Sequence, residues 1–201
     1  MVLRNFNAHR EEKVAYGKKI KLWRTPDEDG EFKPLTEKEV ERMKVRAKNY
    51  CMWAIGNSPK TRKQLIDKMK QKNCPEEIIE ETIASMEALL LVDDEGYAQN
   101  YVDMKQSSGK GKRKIAQDLR MKGIDPEIID QVLEETDEED ERERAVAFVR
   151  KRLPSVRRLD PKKRTNRLVG QLARNGYNIG MAYSVINEVL AEEGIDDEDD
   201  D

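Results

Sequence analysis

The chain is 201 residues long, with 37% hydrophobic and 39% charged residues and a formal net charge of -3. That length can bury a core without disulfides or metals, but apolar residues spread this thinly suit small helical units sharing narrow interfaces better than one broad core. Two distant cysteines, Cys51 and Cys74, and a single histidine, His9, fit no zinc or redox-pair spacing, so the cysteines read as small core residues and no metal or cofactor is expected.

The first thirteen residues hold no apolar run of the signal-peptide type, and no stretch is long and apolar enough to cross a bilayer, which predicts a cytoplasmic protein. Residues 1–36 read as an arm. Within it Ile20, Leu22 and Phe32 flank the turn-like Pro26-Asp27-Glu28-Asp29-Gly30, where a small hairpin or a partly ordered segment is expected.

From residue 37 onward the sequence repeats. Sliding it by 50 residues superposes Leu65, Met69, Ile78, Ile79 and Ile83 on Ile115, Leu119, Ile128, Ile129 and Leu133. A further slide of 53 brings Leu168, Leu172, Met181, Val185 and Ile186 onto Ile115, Leu119, Ile128, Val132 and Leu133, while Ala47 and Tyr50 match Ala98 and Tyr101, then Ala145 and Phe148. Within each unit apolar residues recur at helical spacing in three segments. The reading is an all-α protein of three tandem three-helix repeats, at 37–90, 91–136 and 137–193, followed by an acidic, disordered tail at 194–201.

Helix starts are expected at Ser58-Pro59, Asp125-Pro126 and Asp160-Pro161, each an N-cap residue before a proline, and at Asp93-Asp94-Glu95. Gly123 and Gly176 mark helix ends.

Charge is distributed unevenly. The last ten residues carry eight acids (Glu192, Glu193, Asp196, Asp197, Glu198, Asp199, Asp200 and Asp201), so the body without them is basic. Seven basic residues stand against Asp118 alone between Met104 and Lys122, and ten against Asp160 alone between Arg150 and Arg174. A helical wheel that buries Ile115 and Leu119 turns Arg113, Gln117 and Arg120 outward, with Lys63 and Lys70 at the matching places of the first repeat. The candidate binding residues are therefore Lys63, Lys70, Lys110, Lys112, Arg113, Lys114, Arg120, Lys122, Arg157, Arg158, Lys162, Lys163, Arg164 and Arg167. A solvated face is the bland alternative, and recurrence in successive repeats favours a phosphate backbone or an acidic protein groove.

Ser107-Ser108-Gly109-Lys110-Gly111-Lys112 lacks P-loop spacing, although such a helix start can present N–H groups to phosphate. Tyr50, Tyr101 and Phe148 sit beside core alanines and are expected in the core, which leaves no evident stacking platform for single-stranded bases. The paired carboxylates cluster at Glu134 to Glu143 and in the tail, where they suit a linker or mask better than an acid/base site. An enzyme is disfavoured.

The string Val92-Asp93-Asp94-Glu95-Gly96-Tyr97-Ala98, followed by Tyr101-Val102, resembles the opening of the second repeat of the RecX regulatory proteins. Gly111-Lys112-Arg113-Lys114-Ile115, with Leu119, Lys122, Gly123 and Ile124, is similar to that family's continuation. The resemblance covers roughly residues 40 to 190. It departs at Asn73, where a glycine is usual, and at Asn178-Ile179-Gly180, which replaces an Asp-Pro-Glu helix start.

The resemblance implies an elongated, curved molecule that binds along the groove of the RecA recombinase filament on single-stranded DNA. It implies a modulator, mainly an inhibitor, of recombination, ATP hydrolysis and repressor cleavage, with no catalytic residue. Two other readings stay open. Each three-helix unit is a possible helix-turn-helix reader of duplex DNA, although few Asn, Gln or Ser residues face outward on the middle helices. A plain protein-binding scaffold is the third. A monomer contacting DNA through phosphates without sequence preference is expected.

Overall fold

A computed structural model describes Val14–Ala15, Lys18–Lys19 and residues 21–195. His9, Ile20 and the acids Asp196 to Asp201 lie outside the described residues. No described helix is long and apolar enough to cross a membrane. The protein is all-α with tandem three-helix repeats, and it divides into two compact units, Met1–Asp93 and Asp94–Asp201.

In the first unit, Val14–Ala15 (β1) and Lys18–Lys19 (β2) form a two-residue antiparallel pairing. The turn expected at Pro26 to Gly30 forms there: the Asp27 carboxylate accepts the Asp29 and Glu31 N–H groups, and Gly30 takes a left-handed φ of 85°. No strands flank this turn, so the expected hairpin is reduced to the turn itself. Three helices follow, α1 (Glu37–Asn57), α2 (Arg62–Lys70) and α3 (Glu76–Ala88). They enclose Ala47, Cys51, Leu65, Met69, Ile79, Ile83 and Met86.

The second unit holds two such triplets. Helices α4 (Asp94–Ser107), α5 (Lys112–Met121) and α6 (Pro126–Glu134) surround Ala98, Val102, Ile115, Leu119 and Ile129. Helices α7 (Glu138–Val156), α8 (Pro161–Asn175) and α9 (Ile179–Glu192) surround Ala145, Val149, Leu168, Leu172, Val185 and Ile186. In every triplet the third helix packs against both others. The repeat-equivalent alanines Ala47, Ala98 and Ala145 are each fully buried, because only a methyl side chain lets the first helix approach its neighbours this closely.

Cap chemistry sets the boundaries. Asp125 caps α6 with Pro126 in its first turn, and Asp160 caps α8 with Pro161 likewise. Gly176 ends α8 at φ 93°, and Gly123 follows α5 at φ 79°. Asn73 replaces glycine at φ 59°, a conformation asparagine tolerates, and its side-chain amide donates to the Arg24 carbonyl at 2.9 Å. Asn178 starts α9 by accepting the Gly180 N–H, so the third unit keeps a capped helix without Asp-Pro-Glu.

One expected start is displaced. Ser58 lies at the end of α1, and α2 begins at Arg62 behind Thr61, which forms a capping box with Gln64. The reciprocal pair satisfies two orphan N–H groups, which a Ser-Pro start cannot do.

Candidate nucleic-acid interface

The apolar side of α5 is filled by Ile115, Ala116 and Leu119, and Arg113, Gln117 and Arg120 stand exposed on the other. Because Arg113 and Arg120 are seven residues apart, two turns bring them onto one stripe. On α8, Lys162, Lys163 and Arg167 are exposed opposite Leu168 and Leu172, and Arg157 and Arg158 lie exposed just beyond α7. The two candidate cations of α2 are exposed but paired, Lys63 with Asp67 at 2.9 Å and Lys70 with Glu76 at 2.5 Å.

Five of the expected binding residues have other surroundings. Arg164 is 4% exposed. Helix α8 starts at Pro161, a full turn earlier relative to its core leucines than α2 and α5 do, and the added turn places Arg164 on the stripe of Leu168 and Leu172. The four-residue spacing of Arg164, Leu168 and Leu172 carries that signal in the sequence. Lys114 is half-buried and pairs with Asp118 at 2.8 Å, and the Lys122 ammonium lies 5.0 Å from the centre of the Tyr101 ring.

Lys110 and Lys112 belong to a junction between the second and third triplets. The Lys110 Nζ donates to Asn175 Oδ1 at 2.6 Å, and the Lys112 Nζ to the Thr136 carbonyl at 2.7 Å. The N-cap of α5 is Gly111, which has no side chain to close the helix. Its orphan N–H groups are filled from the third triplet instead. Gly111 donates to the Asn175 carbonyl at 2.9 Å, Arg113 to the Gly176 carbonyl at 3.2 Å, and Lys112 to Glu141 Oε1 at 2.8 Å.

The electropositive start of α5 thus meets the electronegative end of α8, an attractive arrangement of helix dipoles. A Cβ on Gly111 would lie 2.7 Å from the Gly176 carbonyl, and one on Gly176 would lie 2.3 Å from the Lys114 nitrogen. Both glycines are needed for backbone to meet backbone. Phosphate does not find open N–H groups at Gly111, Lys112 and Arg113, in keeping with the lack of P-loop spacing.

Tyr50, Tyr101 and Phe148 pack against the cores of their triplets as expected, but each is half-buried. Each follows its core alanine by three residues, at the border of the apolar stripe, and each has a cation over its ring. Lys72 lies 5.0 Å from the Tyr50 centroid, Lys105 and Lys122 lie 5.1 and 5.0 Å from that of Tyr101, and Arg152 lies 5.5 Å from that of Phe148. Burial, with the Asp118 charge beside it, pushes the Tyr101 hydroxyl up to about 12. Burial, reinforced by Arg46 and Lys68, holds the Lys72 ammonium below its ordinary value. The recurrence of a lysine at 72 and 122 is the sequence signal that would have found these pairs.

Residues 47–86, 93–133 and 138–186 match the family models described as the first, second and third three-helix domains of RecX. "Regulatory protein RecX" of Streptomyces lividans is 38% identical over 154 residues, covering 76% of this chain and 82% of that protein. The protein of the same name from Mycolicibacterium smegmatis is 37% identical over 174 residues, covering 84% and 89%. The crystal structure of RecX from Lactobacillus salivarius shares the fold with a TM-score of 0.69 at 23% identity, over 75% of this chain and 99% of that one.

Proposed function

The chain belongs to the RecX family of regulatory proteins, and on that premise we propose that it binds the RecA recombinase filament on single-stranded DNA and restrains its ATPase, strand-exchange and coprotease activities. The observation that carries this reading is the set of exposed basic side chains, Arg113 and Arg120 on α5 and Lys162, Lys163 and Arg167 on α8, none of them spent on the core. Guanidinium and ammonium groups on solvent-facing stripes suit DNA phosphates and acidic recombinase surfaces. The reading assigns no catalytic residue and no cofactor: the protein acts by occupying a surface.

The test adds the purified protein to a RecA ATPase assay on single-stranded DNA, with DNA binding measured separately. Hydrolysis should fall as the protein is added. Unchanged hydrolysis at saturating protein overturns the reading, and tight binding to one duplex sequence replaces it with a transcription factor.

A further inference from the structure

The first unit carries both tryptophans of the chain, and they lie in one cluster. The Trp23 and Tyr50 rings meet edge to face at 5.5 Å, and Tyr50 and Trp53 lie 5.9 Å apart with planes tilted by 32°. Trp53 is 65% exposed, and Met52 beside it 56%. A tryptophan this open on a helix whose other face makes the core contributes little to burial, while its ring offers a wide flat surface.

The cluster is also the meeting point of cations. The Arg46 guanidinium lies 5.1 Å from the Trp23 centroid and the Lys72 ammonium 6.0 Å from it. The charges that act on Lys72 are those of Arg46 and Lys68, both of its own sign. The equivalent cluster of the second triplet is built differently. There Asp118 accepts the Tyr101 hydroxyl at 3.2 Å and pairs with Lys114. The 50-residue offset puts Lys68 where that triplet has Asp118, so the carboxylate that neutralises one cluster is a cation in the other.

A groove of about 550 Å³ adjoins, lined by Trp23, Arg24, Lys33, Arg42 and Arg46 among others. Its two carboxylates are already engaged, Glu39 by the Thr36 hydroxyl and N–H and Asp27 by the Asp29 and Glu31 N–H groups.

We infer that Trp53, buttressed by Tyr50 and Trp23, is a stacking platform for an unpaired nucleobase, with Arg46, Lys68 and Lys72 holding the adjoining phosphates. An exposed indole beside uncompensated cations matches the two halves of a single-stranded nucleotide, its π-face and its charge. An apolar peptide would satisfy the indole and leave the cations unmatched, and a duplex would present phosphates without an open base. The inference deepens the filament reading, on which it rests, by adding base contact to phosphate contact in the first unit.

The test uses the full chain and two probes, an oligothymidylate and an abasic deoxyribose-phosphate chain of equal length. Binding is read by the anisotropy of a labelled probe and by quenching of intrinsic tryptophan fluorescence. The thymidylate should bind roughly tenfold or more tightly than the abasic chain and quench the emission. Trp53→Ala should erase that preference while leaving abasic affinity and the melting temperature unchanged, and Trp53→Phe should keep most of it.

Equal affinity for the two probes in the parent protein overturns the platform, and if both still bind with strong salt dependence the phosphate reading stands without it. Binding to neither probe overturns both. If Trp53→Ala weakens association with the recombinase while thymidylate affinity is unchanged, the face belongs to a protein partner and the platform is overturned.

Discussion

Glu141 Oε1, on the first turn of α7, accepts the Lys112 N–H at 2.8 Å and so caps a helix that belongs to another triplet. The carboxylate is 7% exposed, and it faces the electropositive end of α5, where a negative charge is stabilising. Glu141→Ala should lower the stability of the second unit by roughly 1–2 kcal/mol, since it removes a cap and leaves a covered N–H without a partner. Glu141→Gln keeps an accepting oxygen and should lose distinctly less. Chemical denaturation of both variants decides, and equal losses would assign the whole effect to the charge.

Arg113→Glu combined with Arg120→Glu should abolish inhibition of the recombinase and leave thermal unfolding almost unchanged, because exposed substitutions usually cost under about 0.5 kcal/mol. Leu119→Ala, in the same helix, should do the reverse by opening a cavity at a cost of roughly 2–5 kcal/mol. On single strands the slope of log affinity against log salt should drop by about 0.7 for each phosphate that the variant no longer neutralises. Full inhibition by the double variant would show that the stripe is merely solvated. Lys110 and Lys112 are unsuitable for this comparison, because their substitution also disturbs the junction.

Removing the chain beyond Ile195 should tighten DNA binding at low salt. Glu192 already pairs with Arg150 at 2.6 Å, and Glu193 lies 3.8 Å from Arg157, so the start of the acidic segment is in contact with the basic third triplet. Ile195 is retained because it packs against that triplet's core. The gain should be largest near 0.01 M salt, where screening extends about 30 Å, and should shrink at physiological ionic strength. Unchanged low-salt affinity after truncation would exclude masking.

Asp118 gives the second unit an acid sensitivity. Burial alone would raise its carboxyl, but hydrogen bonding and charge from Lys114, together with the Tyr101 hydroxyl, outweigh it and hold the group below its ordinary value. A lowered carboxylate contributes stability that is present above its unfolded value, about 3.9, and is lost as the pH falls through the folded value. Asp118→Asn should therefore be less stable than the parent at neutral pH, with the gap closing in strong acid. A gap that stays constant with pH would separate Asp118 from the effect.

The triplets were legible in the sequence because their cores obey a simple periodicity: Leu65 and Met69, Ile115 and Leu119, Leu168 and Leu172 are all buried where the wheel puts them. Local caps such as Asp125 and Asp160 were legible for the same reason, since each is decided by neighbours in sequence. Arg164 was misplaced because its charge was read before its spacing. The partners of Lys110, Gly111, Lys112 and the Arg113 N–H come from residues 136, 141, 175 and 176, and no local pattern announces a contact of that range. The surroundings of Trp53 were hidden likewise, as Trp23 and Lys72 reach α1 from two separate segments.

The borrowed cap on α5 has a consequence for the order in which the protein is made. When Gly111 to Met121 have just been polymerised, neither Glu141 nor the carbonyls of Asn175 and Gly176 yet exist, and at about 5–20 residues per second they follow seconds later. Until they arrive, the start of the middle helix of the second triplet lacks the partners that close it. The growing chain closes this gap only when its third triplet has been synthesised and has folded, so a chain ending before residue 175 holds a second triplet whose α5 start lacks the Asn175 and Gly176 carbonyls.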